Sequence, residues 1–545
     1  MTRTRRDVIY PQRCYDSETL LRSADFSPGE KMTLVKDLKL SGNPFEHYTA
    51  ETEPNIADYA VRPPYLQAIV DRAEAISSFI LFGNRGAGKS ATRITVYNEI
   101  WKGVSANDKA DEESTFIVNL TDYSAIQSIF AKGRLSDKDI IRIAAFAVIE
   151  QMLVWLSSLE DDERSIYIEG LDNDERTLVL ALIKGFYLSV PEMERNISTS
   201  DTLKLLNSAW TTKSAVWAGK HWDAISKIVA AAVNALTKKE LDGSIDISAP
   251  AEALLKSLVG DAPTAVRATL GKLAEFVKCF GYSGVCVLVD KVDETPGTSN
   301  SAEATASLVY PLLAHIQLLE VPGFSWILFL WSNVQQHFND KYPVRLDKIA
   351  HANITWNTES LREMIEARVT FYSGGRLSFS GLLDKGLDPD AIFAQLAAMA
   401  VYSPRELIKL MDIIVREHDV RDDRVSDLLD HKSINLGQDK YVVETIGSWF
   451  PAKQLQQVLR LGLQTFVNKD VQSAFKIGDQ GARVKIKSWE DVGLVRQSGT
   501  IPSELGGKQV YRFVVADARV ERIIVGKLSD VVGAGVEAEV SEDGE

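Results

Sequence analysis

Cysteine is scarce in this 545-residue chain: Cys14, Cys279 and Cys286 have neither disulfide nor metal-site spacing. Such sparse usage fits a reducing compartment, and a cytoplasmic location is expected. Cys286 lies in an apolar strand, where a free buried thiol is the default. Long apolar runs are also lacking. The segments around Ile228–Leu236 and Val309–Leu319 are broken by polar residues well short of the ~18 a membrane span needs, so no membrane partner is expected. The opening Met-Thr-Arg-Thr-Arg-Arg continues into Asp7, Gln12 and Asp16 without the apolar segment of a signal peptide. Positive charge is in deficit, with 61 Lys and Arg against 75 Asp and Glu and a net charge of −14. This excludes a polyanion-binding surface over the whole protein but leaves room for a local basic face. Part of the excess sits in Glu537–Glu545, which has five acids and no base and is expected to be disordered. There is no solenoid repeat. No toxin, nuclease or protease motif is visible, nor an Asn-Lys-x-Asp guanine motif.

One motif stands out against these absences. Residues Gly83-Asn84-Arg85-Gly86-Ala87-Gly88-Lys89-Ser90 form a complete G-x-x-x-x-G-K-[ST] phosphate-binding loop. The apolar run Ser77–Phe82 precedes it as a strand. A helix follows from Ala91 to Trp101, with Ile94, Val96, Tyr97, Ile100 and Trp101 available for a buried face. Glycines let the loop turn tightly and aim main-chain N–H groups inward, and the helix start adds its dipole. Gly83 through Ala91 are therefore the nucleotide-binding residues. Lys89 is expected to reach the β/γ-phosphates, and the Ser90 hydroxyl to ligate Mg²⁺.

Along the chain, residues 1–50 read as a polar lead-in. Residues 51–356 read as the nucleotide core, with a motif-free helical insertion at about 160–260. Strands are expected at Phe116–Leu120, Val285–Val289, Trp326–Trp331 and Ile354–Trp356. Helices are expected at Leu66–Ala75, Lys138–Leu159, Thr264–Cys279 and Ala302–Leu318. This alternation predicts an α/β fold with a parallel sheet. Residues 357–435 read as helical, at Leu361–Phe371, Asp390–Ala400 and Pro404–Glu417. Residues 436–527 read as a winged helix-turn-helix. Its helices are Ala452–Leu463, Lys469–Ile477 and Gly481–Val495, and its strands are Val492–Gln497 and Gln509–Val515. The acidic tail, 528–545, ends the chain.

Val285-Cys-Val-Leu-Val-Asp290 is an apolar strand ending in an acid, as a Walker B element requires, so Asp290 is the metal-side candidate. Here the chain resembles the AAA+ and STAND branches of P-loop ATPases. AAA+ proteins place a catalytic glutamate directly after the acid, where this chain has Lys291. Asp290-Lys-Val-Asp293-Glu294 is closer to the pattern of STAND NACHT proteins. By that resemblance Asp290 holds Mg²⁺ through water and either Asp293 or Glu294 orients the attacking water.

The run Phe324–Asn333 resembles a sensor 1 strand, with Asn333 preferred over Ser332 as its polar end. Arg345 lies where AAA+ proteins carry an arginine finger acting on a neighbouring subunit; the alternative is a surface salt bridge to Asp347 or Asp340. Tyr402-Ser-Pro404-Arg405 resembles the sensor 2 helix start of origin-recognition-like AAA+ proteins, which implies that Arg405 reaches the γ-phosphate. Pro44, Phe45, Tyr59 and Pro63 are candidates for walling an adenine. ATP is expected from this resemblance.

In the C-terminal module, Lys476, Arg483, Lys485, Lys487 and Arg496 are the basic residues, while Trp489, Val492 and Leu494 are expected in its core. Alternate residues of a helix do not share one face, so the basic set meets phosphates only in part. Duplex DNA and protein or intramolecular packing both remain open as its partner. Two functions follow: an AAA+-like ATPase that oligomerises and remodels or loads a nucleic-acid or protein partner, or a STAND-like nucleotide switch in anti-phage defence with a separate effector protein.

Overall fold

The computed structural model describes residues 33–529 except 51, 54–55, 60, 62–63, 103–113, 193–194, 196–223, 231–247, 260–263, 299–300, 425 and 503–508. Cys14, Pro63 and the acidic tail from 530 onward lie outside the described residues.

The core alternates as the apolar runs dictate. Helix α1 (Pro64–Glu74) leads to β1 (Phe79–Gly83) and α2 (Lys89–Lys102). Then come β2 (Thr115–Leu120), α3 (Asp137–Ser158), α4 (Ala265–Lys278), β3 (Gly284–Val289), α5 (Ala302–Leu313), β4 (Phe324–Trp331) and β5 (His351–Asn353). The five strands form one sheet in the order β2-β3-β4-β1-β5, every pair parallel. Side chains alternate across it. Ile80, Phe82, Val118, Val287 and Leu328 face α3 and α4, whereas Leu81, Ile117, Cys286, Leu288 and Ile327 face α1 and α2. Burial on both faces is why these strands read as nearly unbroken apolar runs.

Helix α3 starts at a capping box in which Asp139 accepts from the Ser136 amide at 2.9 Å. Contrary to the expectation from apolar runs, α3 is long and apolar enough to cross a bilayer by length and composition. It is a core helix here, with 89% of that stretch buried. Between α3 and α4 the described helices Asp161–Glu169, Asn173–Leu182 and Ser248–Val259 place Leu178, Leu182 and Leu258 in the same cluster.

The expected strand Ile354–Trp356 is displaced. The pairing strand is β5, three residues earlier. Ile354 instead packs on the phosphate loop, where a Cβ on Gly83 would lie 3.0 Å from its Cδ1. The Trp356 indole donates to the Ala87 carbonyl at 2.8 Å. The alternation that suggested a strand serves loop contacts instead.

Beyond the sheet lie α6 (Thr358–Tyr372), α7 (Pro389–Met399), α8 (Pro404–Val420) and α9 (His431–Thr445). Asn357 and Asp388 cap α6 and α7. Helix α9 spans the expected boundary at 435–436. It packs on α8 through Gly437, where a Cβ would come within 2.6 Å of the Ile414 Cα, so only glycine allows that approach. Leu34 and Phe45 are buried in the core of these helices, which is where the segment before the sheet is folded.

The last part comprises α10 (Ala452–Leu461), β6 (Thr465–Val467), α11 (Asn468–Phe475), α12 (Asp479–Asp491), β7 (Val495–Pro502), β8 (Gln509–Val515) and α13 (Ala518–Gly526). Its sheet is antiparallel, in the order β6-β8-β7. Trp489 and Leu494 are fully buried and Val492 partly so.

Candidate functional site

The cleft lies at the carboxyl ends of the parallel strands, over the turn between β1 and α2. Gly86 (φ 73°) and Gly88 (φ 90°) take the left-handed backbone that lets the loop curl. Lys89 is buried, and its ammonium donates to the carbonyls of Gly83 at 3.0 Å and Asn84 at 3.2 Å. Burial lowers its pKa, opposed first by Asp293 and then by Asp290 and Glu294. Ser90, Ala91, Thr92 and Thr95 line the cleft beyond it.

At the end of β3 the chain turns through Lys291, whose φ of 61° starts a short 3₁₀ turn at Val292–Glu294. That turn brings Asp290, Asp293 and Glu294 into the cleft. Their environments differ sharply. Asp290 receives the Arg93 guanidinium, Nε to Oδ2 at 3.0 Å, and both side chains are 2% exposed. The Arg93 Nη1 donates to Asn119 Oδ1 at 2.7 Å. Asn119 is held at both main-chain groups by Gln151 of α3, at 3.0 and 2.9 Å. Asp293 is also buried, and Arg85 holds it twice: Nε to Oδ2 at 3.1 Å and Nη2 to the carbonyl at 2.9 Å. The Arg85 guanidinium lies 4.7 Å from the Trp331 ring centre. Glu294 is open to solvent at its surface but set back in the cleft, and that partial burial raises its pKa. Lys291 opposes the rise, Asp293 and Asp290 add to it, and Arg405 opposes it.

From the other side, Ser403 and Pro404 begin α8 directly over the loop. The Arg405 amide donates to the Gly86 carbonyl at 3.3 Å. A Cβ on Gly86 would fall 2.7 Å from Ser403 Oγ and 2.9 Å from Arg405 Cβ. The Ser403 hydroxyl is buried without a hydrogen-bond partner.

The apolar end of the cleft is lined by Tyr48, Tyr59, Tyr65, Met364 and Ile408. Of the expected adenine walls among the described residues, only Tyr59 is there. Phe45 is fully buried in the helical core, and Pro44 does not line the cleft. A buried brace fixes this wall: Glu53 accepts from Tyr59, from Tyr372 at 2.8 Å and from Arg368 at 2.7 Å. Tyr48 donates to Asp412 of α8.

Two expected residues are elsewhere. Asn333 is exposed in the turn after β4 and does not line the cleft. Arg345 is on the surface, paired with Asp347 through Nε at 2.9 Å and Nη2 at 2.8 Å. Arg93, Asn119, Gln151, the pairing of Arg85 with Asp293 and the Glu53–Arg368 brace were not anticipated. Arg93 carried one signal: it shares the helix face of Val96, Tyr97 and Ile100, an apolar stripe where a charge needs a buried partner.

The residues present fit a nucleoside triphosphate, with a loop of inward amides, a buried ammonium held by carbonyls that phosphates would replace, and an aromatic wall. They fit a divalent cation poorly. Ser90 is open, but one Asp290 oxygen already holds a guanidinium.

No family model matches this chain, and no curated protein matches it. Among solved structures it is similar to the Aeropyrum pernix ORC1 protein in complex with DNA. Identity is 13% and the TM-score 0.34, over 89% of this chain and 98% of that one. It is also similar to the Aeropyrum pernix ORC2 protein in ADPNP–ADP complexes (11%, TM-score 0.40, 90% and 99%). A third is Cdc6p from Pyrobaculum aerophilum (9%, TM-score 0.31, 90% and 99%). Overlaps this loose carry no residue-by-residue correspondence.

Proposed function

We propose that this chain is an ATP-binding and ATP-hydrolysing P-loop ATPase of AAA+, origin-recognition-like type, cytoplasmic, which oligomerises and acts on a nucleic-acid or protein partner. The observation that supports it best is the contact of the α8 start with the phosphate loop, from the Arg405 amide to the Gly86 carbonyl. In this reading the amides of 83–90 and Lys89 grip the β/γ-phosphates, and Arg405 reports the γ-phosphate to the helices beyond the sheet.

Glu294 is the water-orienting acid. Asp293 is committed to Arg85, whereas Glu294 has an open carboxyl with a pKa raised toward a useful base. Asn333, from its exposed turn, belongs to the reading only if the turn closes on bound nucleotide. Arg345 belongs to an intersubunit contact in which Asp347 is exchanged for a neighbour's phosphates.

Residues 452–515 have the helix and strand order of a winged helix. Its exposed basic residues are partly self-neutralised, with Arg483 on Asp479 at 3.0 Å and Lys487 on Asp491 at 2.9 Å. This favours a protein or intramolecular partner over duplex DNA. A second reading, a slow nucleotide switch acting with a separate effector, draws support from the two arginines that occupy Asp290 and Asp293.

The test is an ATPase assay with and without duplex DNA. Turnover abolished by Lys89→Ala supports the ATPase. Tight nucleotide retention with negligible turnover supports the switch. DNA stimulation that falls steeply with salt makes DNA the partner. Absence of nucleotide binding in wild type overturns both readings.

A further inference from the structure

We infer that Arg93, rather than a divalent cation, supplies the positive charge at Asp290, so that this site grips nucleotide with little dependence on Mg²⁺. The inference rests on the nucleotide-binding reading above and concerns the carboxylate that reading would give to the metal.

The pair is built into the core. Arg93 and Asp290 are each 2% exposed at the side chain and meet at 3.0 Å. The guanidinium is also fixed by Asn119 at 2.7 Å, and Asn119 is clamped at both main-chain groups by Gln151. The Asp290 main chain is held as well, its carbonyl accepting from Tyr123 Oη at 2.9 Å and its amide donating to Leu120 at 3.2 Å. Neither partner can withdraw alone, because a bare charge would be left in a water-poor interior. A planar guanidinium seated by two acceptors is a fixed cation on a rigid helix. Mg²⁺ needs near-ideal octahedral oxygen ligands at about 2.0–2.1 Å and yields its water reluctantly. At Asp290 it would have to compete with a neighbour already hydrogen-bonded there. Ser90 and the phosphates remain for the metal, so the cation adds little to affinity. Asp290 acts as a positioning residue that locks α2, and with it Lys89, to the end of β3.

The experiment measures affinity for a fluorescent ATP analogue in excess Mg²⁺ and in EDTA. Affinity is read directly, so hydrolysis is not needed. Wild type is expected to change by less than about threefold between the two buffers, and Arg93→Met, which frees Asp290, by about tenfold or more. Because Arg93→Met leaves a buried carboxylate uncompensated, the double variant Arg93→Met/Asp290→Asn, neutral at both positions, is measured beside it. It is expected to fold and to bind with wild-type insensitivity to Mg²⁺. A wild-type dependence of about tenfold or more overturns the inference while leaving the ATP site intact. So does a double variant that acquires such dependence. Absence of binding in both buffers removes the ATP site itself, and the inference with it.

Discussion

Gly86→Ala probes the point where the two halves of the cleft touch. The new methyl meets two costs. A φ of 73° is a left-handed conformation that costs an L-residue about 1 kcal/mol. The Cβ would also sit 2.7 Å from Ser403 Oγ and 2.9 Å from Arg405 Cβ, overpacking worth about 2 kcal/mol. The first cost is felt wherever the loop is folded. The second is relieved only if the start of α8 lifts, which withdraws Arg405. Together they reach about 3 kcal/mol, a factor of about 150 in turnover per enzyme at limiting nucleotide. Titration calorimetry and steady-state ATPase measurements read the effect, and circular dichroism checks the fold. A double-mutant cycle isolates the contact. Ser403→Ala deletes the nearer atom, itself a buried hydroxyl without a partner, so it is tolerated alone and should restore about 1 kcal/mol to Gly86→Ala. Wild-type activity in Gly86→Ala, or a cycle with no coupling between positions 86 and 403, would refute the account of lid and loop.

Three further outcomes are expected. Glu294→Gln should abolish turnover and keep nucleotide affinity within about threefold, since the amide cannot accept a proton from water. In the wild type the base works ionised and its pKa is raised, so activity is lost as pH falls through a value above the ordinary glutamate range of about 4.3; an acid limb at or below that range would point away from Glu294. Arg345→Ala should lower turnover by about tenfold or more with affinity kept, and mixing with Lys89→Ala subunits should restore part of it; no complementation at oligomer-forming concentrations removes Arg345 from the site.

The sequence disclosed what is local. Gly83–Ser90 is contiguous, so its chemistry is legible from spacing, and β1 and β3 are buried on both faces and therefore uniformly apolar. The helix starts capped by Ser136, Asn357 and Asp388 were placed only to within a few residues, at Lys138, Leu361 and Asp390, because apolar periodicity marks a buried face rather than a terminus. What escaped is made by pairing across the fold. Glu53 and Arg368 lie 315 residues apart, and Arg93 and Asp290 lie 197 apart. Nothing near either residue announces its partner. Strand β6 is too short, at three residues, to show a period. Helix α9 hides behind its glycine and polar residues, although that glycine is what lets it approach α8. Ile354 and Trp356 misled for the opposite reason, because two apolar residues at strand spacing were there to touch the loop.

The early segment through Leu34, Phe45 and Glu53 belongs energetically to the helices that follow the sheet. The polypeptide therefore crosses between the sheet unit and the helical unit twice, once on entering β1's neighbourhood and once on leaving β5. A single protease cut between Asn353 and Thr358 would not part the molecule, since the strap ahead of the sheet keeps the fragments joined. Two cuts, one on each crossing, would be needed before the pieces could drift apart.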